Sequence, residues 1–177
     1  MRLIRVAAAV LNQTPLDWDG NCANILGAIE EARERGASLL CLPEMCIPGY
    51  GCEDAFLSPN VHEKSWEVLQ EILPATRGLV VSLSLPVPFR NTLFNAACLA
   101  VNGRLAGFAA KRNLAGDGIH YEPRWFRPWP AGCVAEVEMP DRCRYPIGDL
   151  MFDVGGIRIG FEICEDAWVA DRPGGSM

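Results

Sequence analysis

The chain has 177 residues, 50% of them hydrophobic and 21% charged, a balance that fits one globular domain with a sizeable core. Sixteen Lys and Arg against 22 Asp and Glu give a net charge of −6 with no basic run or stripe, so nucleic acid is excluded as the expected partner. The apolar start is too short to span a bilayer, contains Arg5 and shows no cleavage site, so no membrane segment or secretory signal is expected, and the cytoplasm is the expected compartment.

In chain order, residues 3–11 read as a buried strand. Residues 18–35 place Cys22, Ile25, Leu26, Ile29 and Ala32 near helical period, and Gly36 supplies a stop signal. Ser38 to Leu42 is a second apolar run. Strand, helix, strand predicts a βαβ unit in an α/β fold. Pro48-Gly49-Tyr50-Gly51 is a turn cluster, and a second helix is predicted over 60–73 from Val61, Trp66, Leu69, Ile72 and Leu73. Residues 79–85 form a β run that Pro86 and Pro88 should close. Asn102-Gly103 joins Leu93–Val101 to Arg104–Ala110 as a hairpin, and Gly155-Gly156 predicts another between Leu150–Val154 and Ile157–Ile163. From Arg112 to about Pro146 the periodicity fails, which predicts a long functional loop and a plausible lid over a site.

The eight cysteines, with no secretory signal, are expected to be reduced, most of them buried as small apolar residues. None forms a C-x-x-C pair, and with only His62 and His120 available no metal site is expected.

Three ionisable residues follow apolar β runs: Glu44 after Leu39–Pro43, Lys111 after Leu105–Ala110, and Cys164 after Ile157–Ile163. Ligand sites of open α/β sheets lie beyond the carboxyl ends of strands, so the three can be read as base, electrophile and nucleophile. Singly, each also has a plain structural reading, as an inert core thiol, a surface carboxylate and a solvated edge lysine. Alternation along 157–164 puts Glu162 and Cys164 on one face, and Glu162, Glu165 and Asp166 crowd the thiol in sequence. Their charges are expected to disfavour a thiolate, so a reactive Cys164 needs a nearby cation, for which Lys111 is the candidate.

Leu42-Pro43-Glu44-Met45, Lys111-Arg112-Asn113-Leu114 and Phe161-Glu162-Ile163-Cys164-Glu165-Asp166-Ala167-Trp168 resemble, in order and separation, the three signatures of the nitrilase superfamily. Leu11-Asn12-Gln13, Pro48 to Asp54 and Arg124 to Trp129 are further similar to the glutamine-amidase domain of the longer, eukaryote-like glutamine-dependent NAD synthetases. The resemblance, from about residue 4 to 170, implies an α-β-β-α sandwich that is incomplete at its C-terminus, with 1–177 a partial carbon–nitrogen hydrolase domain and the synthetase domain absent. It implies Glu44 as general base, Lys111 as oxyanion stabiliser and Cys164 as nucleophile on the glutamine amide. Glu122 is implied as a supporting carboxylate and the backbone N–H of Glu165 as a further oxyanion donor. No cofactor is implied for the amidase step, since ATP and Mg would belong to the synthetase domain. The implied partners are glutamine, that domain and further copies of the chain. Two other readings share these residues: a stand-alone amidase or nitrilase, and an inactive association module suggested by the abrupt end at Met177.

Overall fold

The computed structural model describes residues 3–175 and 177; Met1, Arg2 and Ser176, inside the expected 1–177 span, lie outside the described residues. Its framework is a seven-stranded mixed sheet in the order β1-β2-β3-β4-β5-β7-β6, with a separate two-stranded ribbon, β8-β9. The strands are β1 (Val6–Ala8), β2 (Leu39–Cys41), β3 (Val80–Phe89), β4 (Thr92–Val101), β5 (Arg104–Ala110), β6 (Val134–Glu138), β7 (Arg144–Gly148), β8 (Phe152–Val154) and β9 (Ile157–Ile159). The helices are α1 (Trp18–Glu34), α2 (Pro59–Ile72) and the single turn α3 (Glu122–Trp125), with a 3-10 segment over Tyr50–Leu57.

The βαβ expectation holds, because β1, β2 and β3 run parallel in that order and α1 crosses between the first two. Asp17 caps α1 by accepting the Gly20 N–H at 3.1 Å. At the other end Ala37 N–H reaches Ala32 O and Gly36 N–H reaches Arg33 O, with Gly36 at φ +69°, the paired bonds of a Schellman stop. Ile25 and Ile29 from α1, Leu69 and Ile72 from α2, and Val81, Leu83, Leu85 and Val87 from β3 are almost fully buried in one core. Phe94, Ala96 and Cys98 of β4 and Phe108 and Ala110 of β5 add to it, so the alternate residues of these strands face away from the helices.

Several expectations change. The first strand is short and half-covered: Ala7, Ala9 and Leu11 pack on the core, while Val6 and Val10 are exposed, because β1 is a sheet edge with only its helix side covered among the described residues. β3 does not stop at Pro86. Its even-numbered backbone groups point toward β2, as Leu42 N–H to Ser82 O and Val80 N–H to Ser38 O show, and β2 ends opposite Ser82. Pro86 and Pro88 therefore have no strand partner on the side where their N–H would be needed. β3 and β4 are joined through Arg90 and Asn91, both at positive φ, in the same turn geometry as Asn102-Gly103. The irregular stretch 112–146 contains α3 and a hairpin, β6–β7, that extends the sheet beside β5. Four of the cysteines are buried and four exposed, all of them free, so the expected burial holds for half.

Leu69 is fully buried where α2 meets the sheet core. Leu69→Ala is expected to cost about 2–5 kcal/mol in urea unfolding, whereas Val10→Ser, at a 99% exposed position, should stay within about 0.5 kcal/mol.

Candidate active site

Lys111 leaves the end of β5 with its backbone N–H bonded to Asn95 O at 2.9 Å, so the two are cross-strand neighbours on the face opposite the helices. The Lys111 side chain is fully buried, and its Nζ donates to Glu44 Oε1 at 2.7 Å and to Glu122 Oε1 at 2.8 Å. Asn95 Nδ2 donates to Glu44 Oε1 at 2.6 Å and more distantly to Glu122 Oε1 at 3.4 Å. Tyr50 OH donates to Glu122 Oε1 at 2.9 Å, and the Ala115 N–H reaches Glu122 Oε2 at 2.8 Å. An ammonium thus sits between two carboxylates, neutral donors add to the same Oε1 atoms, and the Ala115 N–H takes Glu122 Oε2. Such a cluster tolerates burial only when each member is bonded in this way.

The approach of Glu44 depends on the loop after β2. Gln13 Nε2 holds Cys46 O at 2.6 Å, and buried Asn21 Nδ2 donates to Thr14 O at 2.8 Å and Ile47 O at 3.1 Å. Gly49, at φ +86°, lies where an added Cβ would come within 2.9 Å of the Thr14–Pro15 backbone, so this contact requires glycine. Glu122 opens α3, whose outer side chains tie back to the 3-10 segment: Arg124 Nη2 bonds Asp54 Oδ2 at 2.7 Å and Trp125 Nε1 bonds Asp54 Oδ1 at 2.9 Å. These donors hold the Asp54 carboxyl well below the usual range. Phe56 and Phe126 pack at a tilt, with ring centroids 5.0 Å apart.

Cys164 is exposed and begins a 3-10 turn, Cys164–Ala167, at φ +48°, a left-handed conformation rarely adopted by a non-glycine residue. It is not at the end of a strand as expected. β9 stops at Ile159, since residues 160–163 have no strand partner among the described residues. Two of the three acidic residues beside it in sequence turn elsewhere. Glu162 turns to Arg172 at 2.9 Å and Asp166 is buried in backbone N–H groups. Burial first, then the charges of Glu44 and Glu122, push the thiol above its ordinary range, opposed by Lys111 and by the backbone N–H of Glu165.

The carboxyl of Glu44 lies above the ordinary range because burial outweighs its attraction to Lys111. Burial works against the Lys111 charge, but the two carboxylates outweigh it and hold the ammonium above the ordinary lysine range. Burial and Glu122 also push the Tyr50 phenol up, which keeps it a donor. The surroundings therefore favour the neutral form of the thiol and the charged form of the lysine. Two of the three ammonium hydrogens are committed to carboxylates, which leaves one for a developing oxyanion.

Glu44, Lys111 and Glu122 are joined by hydrogen bonds, and Cys164 lies within electrostatic reach of all three. Asn95 and Asp166 were missed as members of the site. Asn95 lies in an apolar strand run, where only its polarity among Leu, Phe and Ala marked it.

The sequence matches the carbon–nitrogen hydrolase family over residues 5–172. The chain belongs to that family. Among its relatives are the glutamine-dependent NAD(+) synthetases of Saccharomyces cerevisiae, 36% identical over 97% of this chain and 25% of that protein, and of Drosophila melanogaster, 34% identical over 94% of this chain and 22% of that protein. The crystal structure of a glutamine-dependent NAD(+) synthetase from Cytophaga hutchinsonii superposes with a TM-score of 0.89 at 47% identity, covering 92% of this chain and 28% of that one. An amidase from Nesterenkonia sp. shares the fold, with a TM-score of 0.71 at 23% identity over 92% of this chain and 56% of that one. The chain spans 22–26% of the length of the NAD(+) synthetases it matches by sequence. The nitrilase-like fold class is borne out, here as one helical layer on a seven-stranded sheet with the ribbon β8–β9 beside it. Among the described residues no helix is long and apolar enough to cross a membrane.

The charge arrangement sets a sign that can be measured. Alkylation of Cys164 by iodoacetamide, followed by peptide mass against pH, should have its midpoint above the ordinary thiol range, and Glu44→Gln should move it downward by removing a negative charge.

Proposed function

We propose that this chain hydrolyses the side-chain amide of glutamine and supplies the ammonia to a synthetase domain that amidates deamido-NAD. The observation that carries the chemistry is Lys111 Nζ bridging Glu44 and Glu122 beside an exposed, left-handed Cys164. The substrate is supported by the NAD(+) synthetase relatives, which are by name glutamine-dependent.

In this reading Glu44 removes the thiol proton as Cys164 Sγ attacks the amide carbon. The free Lys111 hydrogen and the Glu165 N–H take the charge that forms on the carbonyl oxygen. Glu44 then passes the proton to the amide nitrogen, the C–N bond breaks, and ammonia leaves a glutamyl thioester. Glu44 next takes a proton from water, whose oxygen attacks the thioester, and glutamate departs as the proton returns to sulfur. Glu122 keeps Lys111 charged and in place. No cofactor enters these steps; ATP and Mg belong to the synthetase reaction. The remaining parts of the proposal are a cytoplasmic setting and assembly with further copies of the chain.

Cys164→Ala is expected to abolish ammonia release from glutamine, measured by a coupled glutamate assay. Glu44→Gln should lower kcat by about 10²–10⁴-fold, as for loss of a general base. In the parent, kcat/KM should fall as pH drops through a midpoint above the ordinary carboxylate range, because the base is lost on protonation. Activity that survived Cys164→Ala would remove the nucleophile assignment.

A further inference from the structure

Asp166 has no role in the chemistry above, yet it is only 2% exposed and its carboxylate is bonded mostly to backbone near the reacting groups. Oδ2 accepts the Ile163 N–H at 3.1 Å, while the Asp166 N–H returns to Ile163 O at 3.1 Å, so the residue closes a ring around Cys164. Oδ1 accepts the N–H groups of Arg112 at 3.2 Å and Asn113 at 2.7 Å, and Asn113 Nδ2 at 2.9 Å. Arg112 and Asn113 directly follow Lys111. One carboxylate therefore joins the turn that bears the thiol to the strand end that bears the ammonium.

That joint has work to do. The turn is not continuous with a sheet strand, since β9 ended at Ile159, and Cys164 adopts a left-handed conformation that nothing in its own side chain favours. A charge-assisted clasp, with four donors converging on two oxygens, fixes the spacing that neither segment can fix alone. We infer that Asp166 is the positioning residue that sets Cys164 against Lys111 and Glu44 for the reaction proposed above. The inference rests on that reading for its substrate but not for its geometry.

Two readouts separate it from a role in folding alone. The first is steady-state ammonia release by the full chain, well below each variant's unfolding midpoint. Asp166→Ala should lower kcat by about 10²-fold, the cost of a displacement near 1 Å, with KM nearly unchanged. Asn113→Ala, which removes one donor, should lose less. Asp166→Asn should fall between, because its NH₂ faces the Ile163 N–H while Oδ1 is kept. The second readout needs no substrate. The downward shift of the Cys164 alkylation midpoint on Glu44→Gln should shrink when Asp166 is also Ala, because the thiol is then no longer held beside Glu44. A role in stability alone would leave that shift as it is in the parent.

If Asp166→Ala does not fold, Asp166→Asn and Asn113→Ala decide. Parent kcat and a parent-sized shift in folded variants would overturn the assignment. A parent that releases no ammonia, but whose alkylation shift still depends on Asp166, would refute the glutamine reading and leave the positioning intact.

Discussion

The site depends on a single buried cation. Lys111 is enclosed at the end of β5, where an uncompensated ammonium would be untenable, and it persists because Glu44 approaches it from the loop after β2 and Glu122 from the start of α3. This one requirement organises the local structure. The loop after β2 must be pinned by Gln13 and Asn21 to deliver Glu44, and α3 must be clasped through Asp54 to deliver Glu122. The two carboxylates carry more charge than the ammonium cancels, so Asn95, Tyr50 and the Ala115 N–H add donors that spread the excess.

The same excess governs the thiol. Cys164 faces two carboxylates and one ammonium, and stays protonated at rest. A resting thiolate is unnecessary when a carboxylate of raised proton affinity lies beside it, because transfer to Glu44 and attack on carbon can proceed together. In the proposed reaction Lys111 acts less as an activator of sulfur than as a fixed charge where the carbonyl oxygen will turn negative. Its value there comes from being held in place before reaction.

The parts legible in sequence were those with local causes. Asn102-Gly103 fixed a turn by its own φ preferences, and Gly36 ended α1 for the same reason. Glu44, Lys111 and Cys164 stood out as polar groups after apolar runs. The parts that were not legible depend on partners distant in sequence. Pro86 looked like a strand breaker because the free side of β3 is visible only once β2 is known to end opposite Ser82. Arg90 and Asn91 carry positive φ without glycine, so their hairpin left no strong signal. The hairpin β6–β7 sits in a stretch rich in Gly, Pro and Arg, and pairing with β5 overrides that composition. Asp166 illustrates the same limit: by sequence it is a charge two residues from the thiol, but in space its carboxylate accepts backbone N–H groups from both the Cys164 turn and the segment after Lys111.

The central claim is that Cys164 forms the covalent link to the amide carbon, with Glu44 moving the protons. The most direct measurement is acid quench of the chain during turnover of glutamine, followed by peptide mass analysis. A glutamyl thioester is expected on the peptide containing Cys164 during turnover. Ammonia release with no adduct on Cys164, or with an adduct on Cys41, Cys133 or Cys143, the other exposed thiols, would contradict it.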